Sequence, residues 1–466
     1  MKKRVVIIGA GPSGLSAGYE LSKNGFDVVI LEKDDIVGGL SKTVNFKSQL
    51  FDLGPHRFFT KNKEVNELWR NLLGKDFLNV ERLTRIYYQN IFFSYPVKPH
   101  EILLKLGIFE GFKIFASYIK SKILLRNLKP KTFEEWITKN FGKRLFGMFF
   151  KTYTEKVWGI PCNQIEAEWA GQRIKNLSLL STALQAFGIN KNVKSLVEKF
   201  NYPRVGAGMM YEKMAEEIKK RGGTIICATE VVSIKHNSEK ISSVVSSSKD
   251  GGSTEWPADY FISSMPINEL VKGLSPHSPN KIKEAAENLY YRSHVTVNFV
   301  VKKQNVFSDN WIYIHDQRIK MARLSDYTNF SKEMSKDENK LIACEYFVFE
   351  NDELWKKSDE GLKNLAIKEL EALKFLSNKD IGSWFVLREK SAYPAYYTGY
   401  KESLNLIRSY LDNLKNLQLI GRGGMYRYNN MDHAILTGLL AARNILGEKH
   451  DIWMVNAEYE YHEEIK

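Results

Sequence analysis

The segment from Arg4 to Glu32 constrains the fold more than any other stretch of this chain. Val5-Val6-Ile7-Ile8 is a short, uninterrupted apolar run, and Gly9-Ala10-Gly11-Pro12-Ser13-Gly14 follows it directly. A helical pattern extends from about Ser13 to Lys23, and a second apolar run, Val28-Val29-Ile30-Leu31, ends at Glu32. Runs of this kind are typical of strands buried on both faces, so the unit reads as β-α-β in a parallel sheet. Gly9 allows the tight turn, Gly11 lets backbone approach a pyrophosphate, and Gly14 lets the helix pack on the sheet. Pro12 and Ser13 open the helix, whose N-terminus turns N–H groups and a positive dipole end toward phosphate. Glu32, 18 residues after Gly14, stands where a carboxylate accepts hydrogen bonds from a ribose hydroxyl. A lone glycine motif says little, but strand, helix and terminal acid in register predict a dinucleotide site.

The chain has 466 residues, of which 43% are hydrophobic, enough for two or three domains. No Pro-rich or Ser/Gly-rich linker divides it, so the domains are expected to interleave. Cys162, Cys227 and Cys344 lie far apart and form no C-x-x-C pair, which argues against a disulfide framework or a zinc site and suits a reducing cytoplasm. The basic start Lys2-Lys3-Arg4 precedes an apolar run that breaks at the glycines, so neither a signal peptide nor a transmembrane helix is expected. The net charge of +14 reads either as a lysine-rich composition or as an attraction for polyanions such as nucleotides. No nucleic-acid recognition motif accompanies it.

Residues 101–127 carry apolar side chains at helical spacing with Lys105, Lys113, Lys120 and Lys122 between them. Two readings stand: a helix of a helical domain with a solvated basic face, or a helix lying on a membrane surface. Residues 132–150 and 164–200 also read as helical. A second strand–helix–strand pattern occupies residues 202–234, and residues 241–301 are rich in Val, Ser and Thr, as strands are. The chain then returns to glycines and a helix, Gly421-Arg422-Gly423-Gly424 followed by the stretch from Asn430 to Leu446.

Glu32-Lys33 is followed by Val37-Gly38-Gly39-Leu40-Ser41, which resembles the GG motif of the FAD-dependent amine oxidase, protoporphyrinogen oxidase and mutase group. The resemblance implies FAD, with Lys33, Gly39, Leu40 and Ser41 along its phosphates and ribitol and the backbone of Val232 at the adenine. It also implies that Gly421 and Arg422 approach the pyrophosphate, and that the helix opened by Asn430, Met431 and Asp432 points at the flavin.

Further blocks resemble the UDP-galactopyranose mutases, especially the eukaryotic type. Asp52-Leu53-Gly54-Pro55-His56 is similar to the family's Asp-x-Gly-Gly-His, with Pro55 for the second glycine. Arg85 and Tyr95-Pro96 resemble its Arg…Tyr-Pro pair, and Lys98 stands where a glutamine meets the base. The run from Phe149 through Tyr153 to Trp158 is similar to Phe-x-x-x-Tyr-Asn-x-Lys-Val-Trp, with Thr154 for the Asn, and Trp169 to Arg173 follows. Trp311-Ile312-Tyr313 with Arg323, then Tyr393-Pro394, then the block from Gly421 through Tyr428 to His433 complete the resemblance. It implies that Arg173, Arg323, Tyr393 and Tyr428 hold a diphosphate. Arg85, Tyr95, Lys98, Phe149, Tyr153, Trp169, Trp311 and Tyr313 would hold the rest of a nucleotide sugar, and His56 would lie beside the flavin.

The expected fold is α/β. A Rossmann-type FAD-binding domain comprises residues 1–80, 200–265 and 415–450, and a helical domain is inserted at 96–199. A mixed, largely antiparallel sheet-based substrate domain takes 81–95 with 266–414, and a tail takes 451–466. No nucleophile–base constellation or metal-ligand spacing stands out, so a cofactor is expected to carry the chemistry. The resemblance implies interconversion of UDP-galactopyranose and UDP-galactofuranose for cell-surface polysaccharide, with reduced flavin N5 attacking the anomeric carbon. NAD(P)H is a candidate reductant. The alternative is an FAD-dependent oxidase or desaturase, and a catalytically altered FAD-binding partner protein is the third reading. The sugar, the base and the oligomeric state stay open, as does peripheral contact of residues 101–127 with a membrane.

Overall fold

The computed structural model describes residues 2–169 and 198–457. Its first sheet is five-stranded and parallel, in the order Leu417–Leu419, Tyr260–Ser263, Arg4–Ile8, Asp27–Leu31, Thr224–Ile226. Three distant stretches of sequence therefore build one sheet. The apolar runs explain why. Val5, Ile7, Val28 and Ile30 face one hydrophobic core, with the helices Pro12–Lys23, Gly208–Lys220 and Met431–Leu446. Val6, Ile8, Val29 and Leu31 face another. A strand apolar on both sides is stable only when covered on both sides.

Strands Thr229–His236, Ile241–Ser248, Ser253–Pro257 and Leu274–Ser275 form a four-stranded sheet. The largest sheet has seven strands, in the order Ile381–Pro394, Tyr291–Val301, Lys340–Val348, Arg323–Asp326, Trp311–Ile314, Thr84–Tyr88, Ile91–Ser94. All its pairings are antiparallel except Trp311–Ile314 with Thr84–Tyr88. The chain is thus mixed α/β, with a parallel sheet and antiparallel sheets.

The helical region departs from its sequence pattern in two places. Residues 101–127 do not form one helix. They lie in two, Pro99–Leu106 and Ile108–Leu124, broken at Gly107, whose φ of +88° ends the first helix and which is the N-cap of the second. The expected helix over 164–200 is not continuous either. Ile165 bridges Tyr397, and Lys199–Pro203 is a strand paired with Phe77–Glu81. Most of that stretch lies outside the described residues.

A buried network ties the second glycine-bearing segment to the parallel-sheet region. Asp52, fully buried, accepts hydrogen bonds from the Thr43 hydroxyl and the Tyr202 hydroxyl, both at 2.6 Å, and from the Ala207 N–H. Burial pushes its carboxyl from 3.8 up to about 6, against those three donors. The folded protein therefore holds a proton on Asp52 that the unfolded chain releases sooner. This contribution, on the order of 3 kcal/mol, is fully present below pH 3.8 and is lost as pH rises through about 6. Asp52→Asn removes the titrating group, so the Tm measured between about pH 4 and pH 6 is expected to vary less with pH than in the wild type. An unchanged slope would show that Asp52 titrates as an ordinary carboxylate.

Candidate active site

The glycine turn after the first strand is built by close contact. A Cβ on Gly14 would lie 1.9 Å from the Gly9 carbonyl oxygen, so the helix can seat against the turn only with glycine there. Gly11 is the N-cap of Pro12–Lys23, and the first turn of that helix carries no acidic side chain to compete with an anion. Gly39 packs backbone to backbone on Gly11, since a Cβ on Gly39 would stand 3.1 Å from the Gly11 Cα. Glu32 is buried, and its two oxygens accept the Ala10 N–H at 2.6 Å and the Asp34 N–H at 2.9 Å. A carboxylate has about four acceptor positions, so two remain.

A single cavity of about 810 Å³ runs from this turn to the seven-stranded sheet. Its size falls in the range of sites that hold cofactors and small molecules. One end is walled by Gly9, Gly11, Pro12, Ser13, Glu32, Lys33, Gly39, Leu40, Ser41 and Val232. The ladder between Thr229–His236 and its neighbour shifts register between Val231 and Ser233, which leaves Val232 as the extra residue. The other end is walled by Gly54, Pro55, His56, Trp311, Tyr313, Arg323, Tyr393, Arg422, Tyr428, Asn430, Met431 and Asp432. Asn430 caps Met431–Leu446, exchanging hydrogen bonds with His433 in a capping box.

At the sheet end, charge is held by a buried pair. Arg323 and Glu345 are direct cross-strand neighbours, and the guanidinium meets the carboxylate twice, Nε to Oε1 at 2.9 Å and Nη2 to Oε2 at 2.5 Å. His294 Nε2 lies 3.0 Å from Oε2, and the Ser325 hydroxyl donates to Oε1 at 3.2 Å. Burial acts to raise the Glu345 carboxyl, but Arg323 and His294 outweigh it and hold it down to about 2. Arg323 Nη1 makes no hydrogen bond among the described residues. Gly54 sits directly against this pair: its φ is +119°, and a Cβ there would lie 3.2 Å from Glu345 Oε2 and 3.3 Å from Arg323 Nη2. The Gly54 N–H donates to the Tyr327 hydroxyl, which donates to the Asp52 carbonyl.

His56 is held neutral. Burial first, then the nearby cations Arg422 and Arg323, lower its imidazole to about 3. Its Nε2 faces the Leu53 carbonyl at 3.3 Å, which requires the proton on that nitrogen. Tyr393 and Tyr428 stack at 5.5 Å, and the Arg422 guanidinium lies over both rings at 5.0 and 4.8 Å. Arg422 does not simply face phosphate. It donates to the Asn429 carbonyl from Nε and Nη2 and to the Ala392 carbonyl from Nη1, which braces the loop before the last helix.

The remaining sequence-predicted residues fall elsewhere. Gly14 and Gly421 lie behind the cavity wall; a Cβ on Gly421 would meet the Ser13 Oγ at 2.4 Å. Arg85 is clamped by the buried Asp309 carboxylate at 2.9 and 2.6 Å and lines no part of the cavity. Phe149 is buried against Phe93 and Tyr88 in the helical core and does not line the cavity. Lys98 is exposed at the start of Pro99–Leu106. Tyr95 and Tyr153 pack against Tyr313 from behind, Tyr153 also stacking on His315, and Trp169 packs on Trp158 and Phe133. Arg173 lies outside the described residues. Sequence reasoning missed Glu345, which carries no local motif. Strand alternation around it was the one available signal, and that cannot name a partner on another strand.

Residues 12–446 match the flavin containing amine oxidoreductase family, and the chain belongs to it. A probable UDP-galactopyranose mutase of Klebsiella pneumoniae is 29% identical over 176 residues, 35% of this chain and 43% of that protein. An L-amino-acid oxidase of Crotalus adamanteus is 36% identical over 113 residues, 21% of this chain and 22% of that one. The matched segments thus span less than half of these relatives. The crystal structure of a reduced UDP-galactopyranose mutase superposes with a TM-score of 0.84 at 21% identity, over 98% of this chain and 97% of the other. Putrescine oxidase bound to putrescine gives 0.61 at 16% identity, over 96% and 100%. The fold is therefore that of the flavoenzymes, and family and fold together support FAD. The peptide-walled cradle of Gly11 and Gly39, the helix N-terminus at Pro12 and the spare acceptors of Glu32 fit a dinucleotide.

Glu345→Gln would leave Arg323 buried without a counter-charge, at a cost of about 3 kcal/mol or more. The expected result is a Tm lower by about 5 °C in a thermal melt. A Tm within about 1 °C of the wild type would mean that the pair contributes little.

Proposed function

We propose that this chain is a flavin-dependent nucleotide-sugar mutase that interconverts pyranose and furanose forms, with UDP-galactose as substrate. The observation that carries the reading is Arg323, fixed by a buried carboxylate at the cavity wall opposite the glycine turn, with Nη1 making no hydrogen bond among the described residues. A guanidinium fits the paired oxygens of a diphosphate. Similarity to the mutase sequence and fold supports the same reading.

When bound and reduced, the flavin would supply a nucleophilic nitrogen to the anomeric carbon, and NAD(P)H is the proposed source of its electrons. The chain's own residues would do the rest. Arg323, with Arg173 as a second clamp, would hold the diphosphate and stabilise the charge that grows on it as it leaves. Tyr393 stays protonated, since burial and the neighbouring Tyr428 raise its hydroxyl, and it would donate a hydrogen bond to phosphate. Tyr428 would do the same. Neutral His56 would offer an uncharged hydrogen-bonding edge beside the reacting centre. Trp311 and Tyr313 would exclude water from the departing group. The proposal assigns the base no contact from Arg85, Lys98 or Phe149, none of which lines the cavity. Reaction in the cytoplasm is part of the proposal.

The sequence similarity to L-amino-acid oxidases favours a second reading, oxidation of an amine or amino acid. The two readings separate in one assay. UDP-galactose is incubated with oxidised and dithionite-reduced enzyme, and UDP-galactofuranose is sought by chromatography. Product from reduced enzyme alone is expected. Hydrogen peroxide from amino acids, with no nucleotide-sugar product, would establish the oxidase instead. Arg323→Ala is expected to lower kcat by about 100-fold or more while FAD content, read from the visible spectrum, stays within about a fifth of the wild type. Undiminished turnover would remove Arg323 from the diphosphate site.

A further inference from the structure

The helices Pro99–Leu106 and Ile108–Leu124 leave an apolar face uncovered among the described residues. Leu104 is 82% exposed, Ile108 79%, Phe109 85% and Phe112 72%. Phe115, Ile119, Ile123 and Leu124 continue the same surface. Ile108, Phe112, Phe115, Ile119 and Ile123 follow one another at spacings of four or three residues, so they form one stripe along the helix. Ile114, Tyr118 and Ser121, the buried residues of this helix, form a second stripe, from which Ile114 joins the helical core. The helix is thus apolar on two faces, and only one of them is used by the fold. A contiguous exposed patch of this kind marks an interaction surface.

Charge identifies the partner. On the helical period, Lys113 and Lys120 fall on one flank of the exposed stripe and Lys122 on the other. Between residues 98 and 131 there are eight Lys and Arg against two acidic residues, Glu101 and Glu110. Both acids are turned to internal partners. Glu101 accepts from the Ser94 N–H and hydroxyl, and Glu110 pairs with Lys113 and Arg144. Lys120 and Lys122 are exposed on the same helix as the patch, and Arg126, Lys129 and Lys131 are exposed in the segment that follows it, whereas Lys105 pairs with Glu101 and donates to the Phe92 carbonyl. A second copy docking face to face would bring this single-sign rim against itself. An anionic lipid surface would take the phenylalanines among its acyl chains and the lysines among its headgroups. No described helix is long and apolar enough to cross a membrane.

We propose that this face seats the enzyme on an anionic lipid bilayer, with Ile108–Leu124 lying in the plane of the interface. The enzyme would then work at the membrane surface without being inserted through it. The proposal does not depend on which reaction the cavity performs.

The test uses the full-length, FAD-loaded chain in co-sedimentation with vesicles. One set is phosphatidylcholine alone, and the other is about three-to-one phosphatidylcholine and phosphatidylserine. The wild type is expected to pellet with the anionic vesicles about tenfold more than with the neutral ones, and to be released by high salt. The Phe109→Ser/Phe112→Ser variant is expected to lose binding by about tenfold or more. Lys120→Glu/Lys122→Glu should lose a similar amount on anionic vesicles only. Both variants alter exposed side chains, and an unchanged flavin spectrum and Tm would show that they are folded. Wild type that stays in solution with anionic vesicles would overturn the proposal, as would a Phe109→Ser/Phe112→Ser variant that binds as well as the wild type. Sedimentation velocity without lipid gives the remaining outcome. A dimer that Phe112→Ser dissociates would assign the face to a contact between copies and overturn the lipid reading.

Discussion

The Gly9 carbonyl oxygen occupies the space where a side chain on Gly14 would begin, and the architecture of the site depends on that contact. It lets the helix Pro12–Lys23 start immediately after the first strand and lie flat against the parallel sheet. Because that sheet is apolar on both faces, it must be covered twice: the helices of residues 12–23, 208–220 and 431–446 cover one face, and the four-stranded sheet with the helices Ile267–Lys272 and Asn280–Asn288 covers the other. The same compression brings Gly39 onto Gly11 and Gly421 onto Ser13. The cavity begins where these backbones meet, so its first wall is made of peptide rather than side chains. Peptide N–H groups and a helix terminus suit phosphate, which is why a tight turn and a cofactor cradle are one feature here.

The opposite wall is made differently, by side chains that the large sheet brings into register. Arg323 and Glu345 are separated by 22 residues and meet because their strands pair antiparallel with those two positions opposed. A buried carboxylate would be costly alone, and the guanidinium and His294 offset that cost. The pair fixes the direction of the cation, and the lack of a side chain at Gly54 lets the loop bearing His56 come down against it. His56 is neutral because burial and two nearby arginines, Arg323 and Arg422, oppose a further positive charge, whereas Arg323 stays charged against burial because Glu345 faces it. Arg422, the second of these, is spent on holding the loop between Asn429 and the last helix, with Tyr393 and Tyr428 stacked beneath it.

The helical region shows how one periodicity can serve two surfaces. Lysines between apolar residues in the stretch 101–127 look like the solvated side of a core helix. The core instead takes the face carrying Ile114 and Tyr118, and the face carrying Phe112, Phe115 and Ile119 is left outside. The break at Gly107 turns the short helix before it, so that Leu104 joins the same outer surface. The period located apolar residues but could not say which of two apolar stripes meets the protein.

Sequence alone determined what depends on near neighbours. The apolar runs, the glycine turn and the acid at Glu32 lie within about thirty residues, and short-range sterics link them tightly, so both the α/β class and the glycine turn with its acid were legible. The motifs at Gly54–His56, at Tyr313, at Tyr393 and at Tyr428 were legible only through their resemblance to the UDP-galactopyranose mutases. Only the tertiary structure decided which side chains face the cavity. Phe149 and Arg85 sit in equally recognisable runs, yet one is absorbed into an aromatic core and the other into a pair with Asp309. Glu345 has no motif at all and becomes the counter-charge of the site. Strand register and helix rotation settle these outcomes. Both are set by the packing of elements far apart in the chain, and a local pattern carries no record of the partner it will meet.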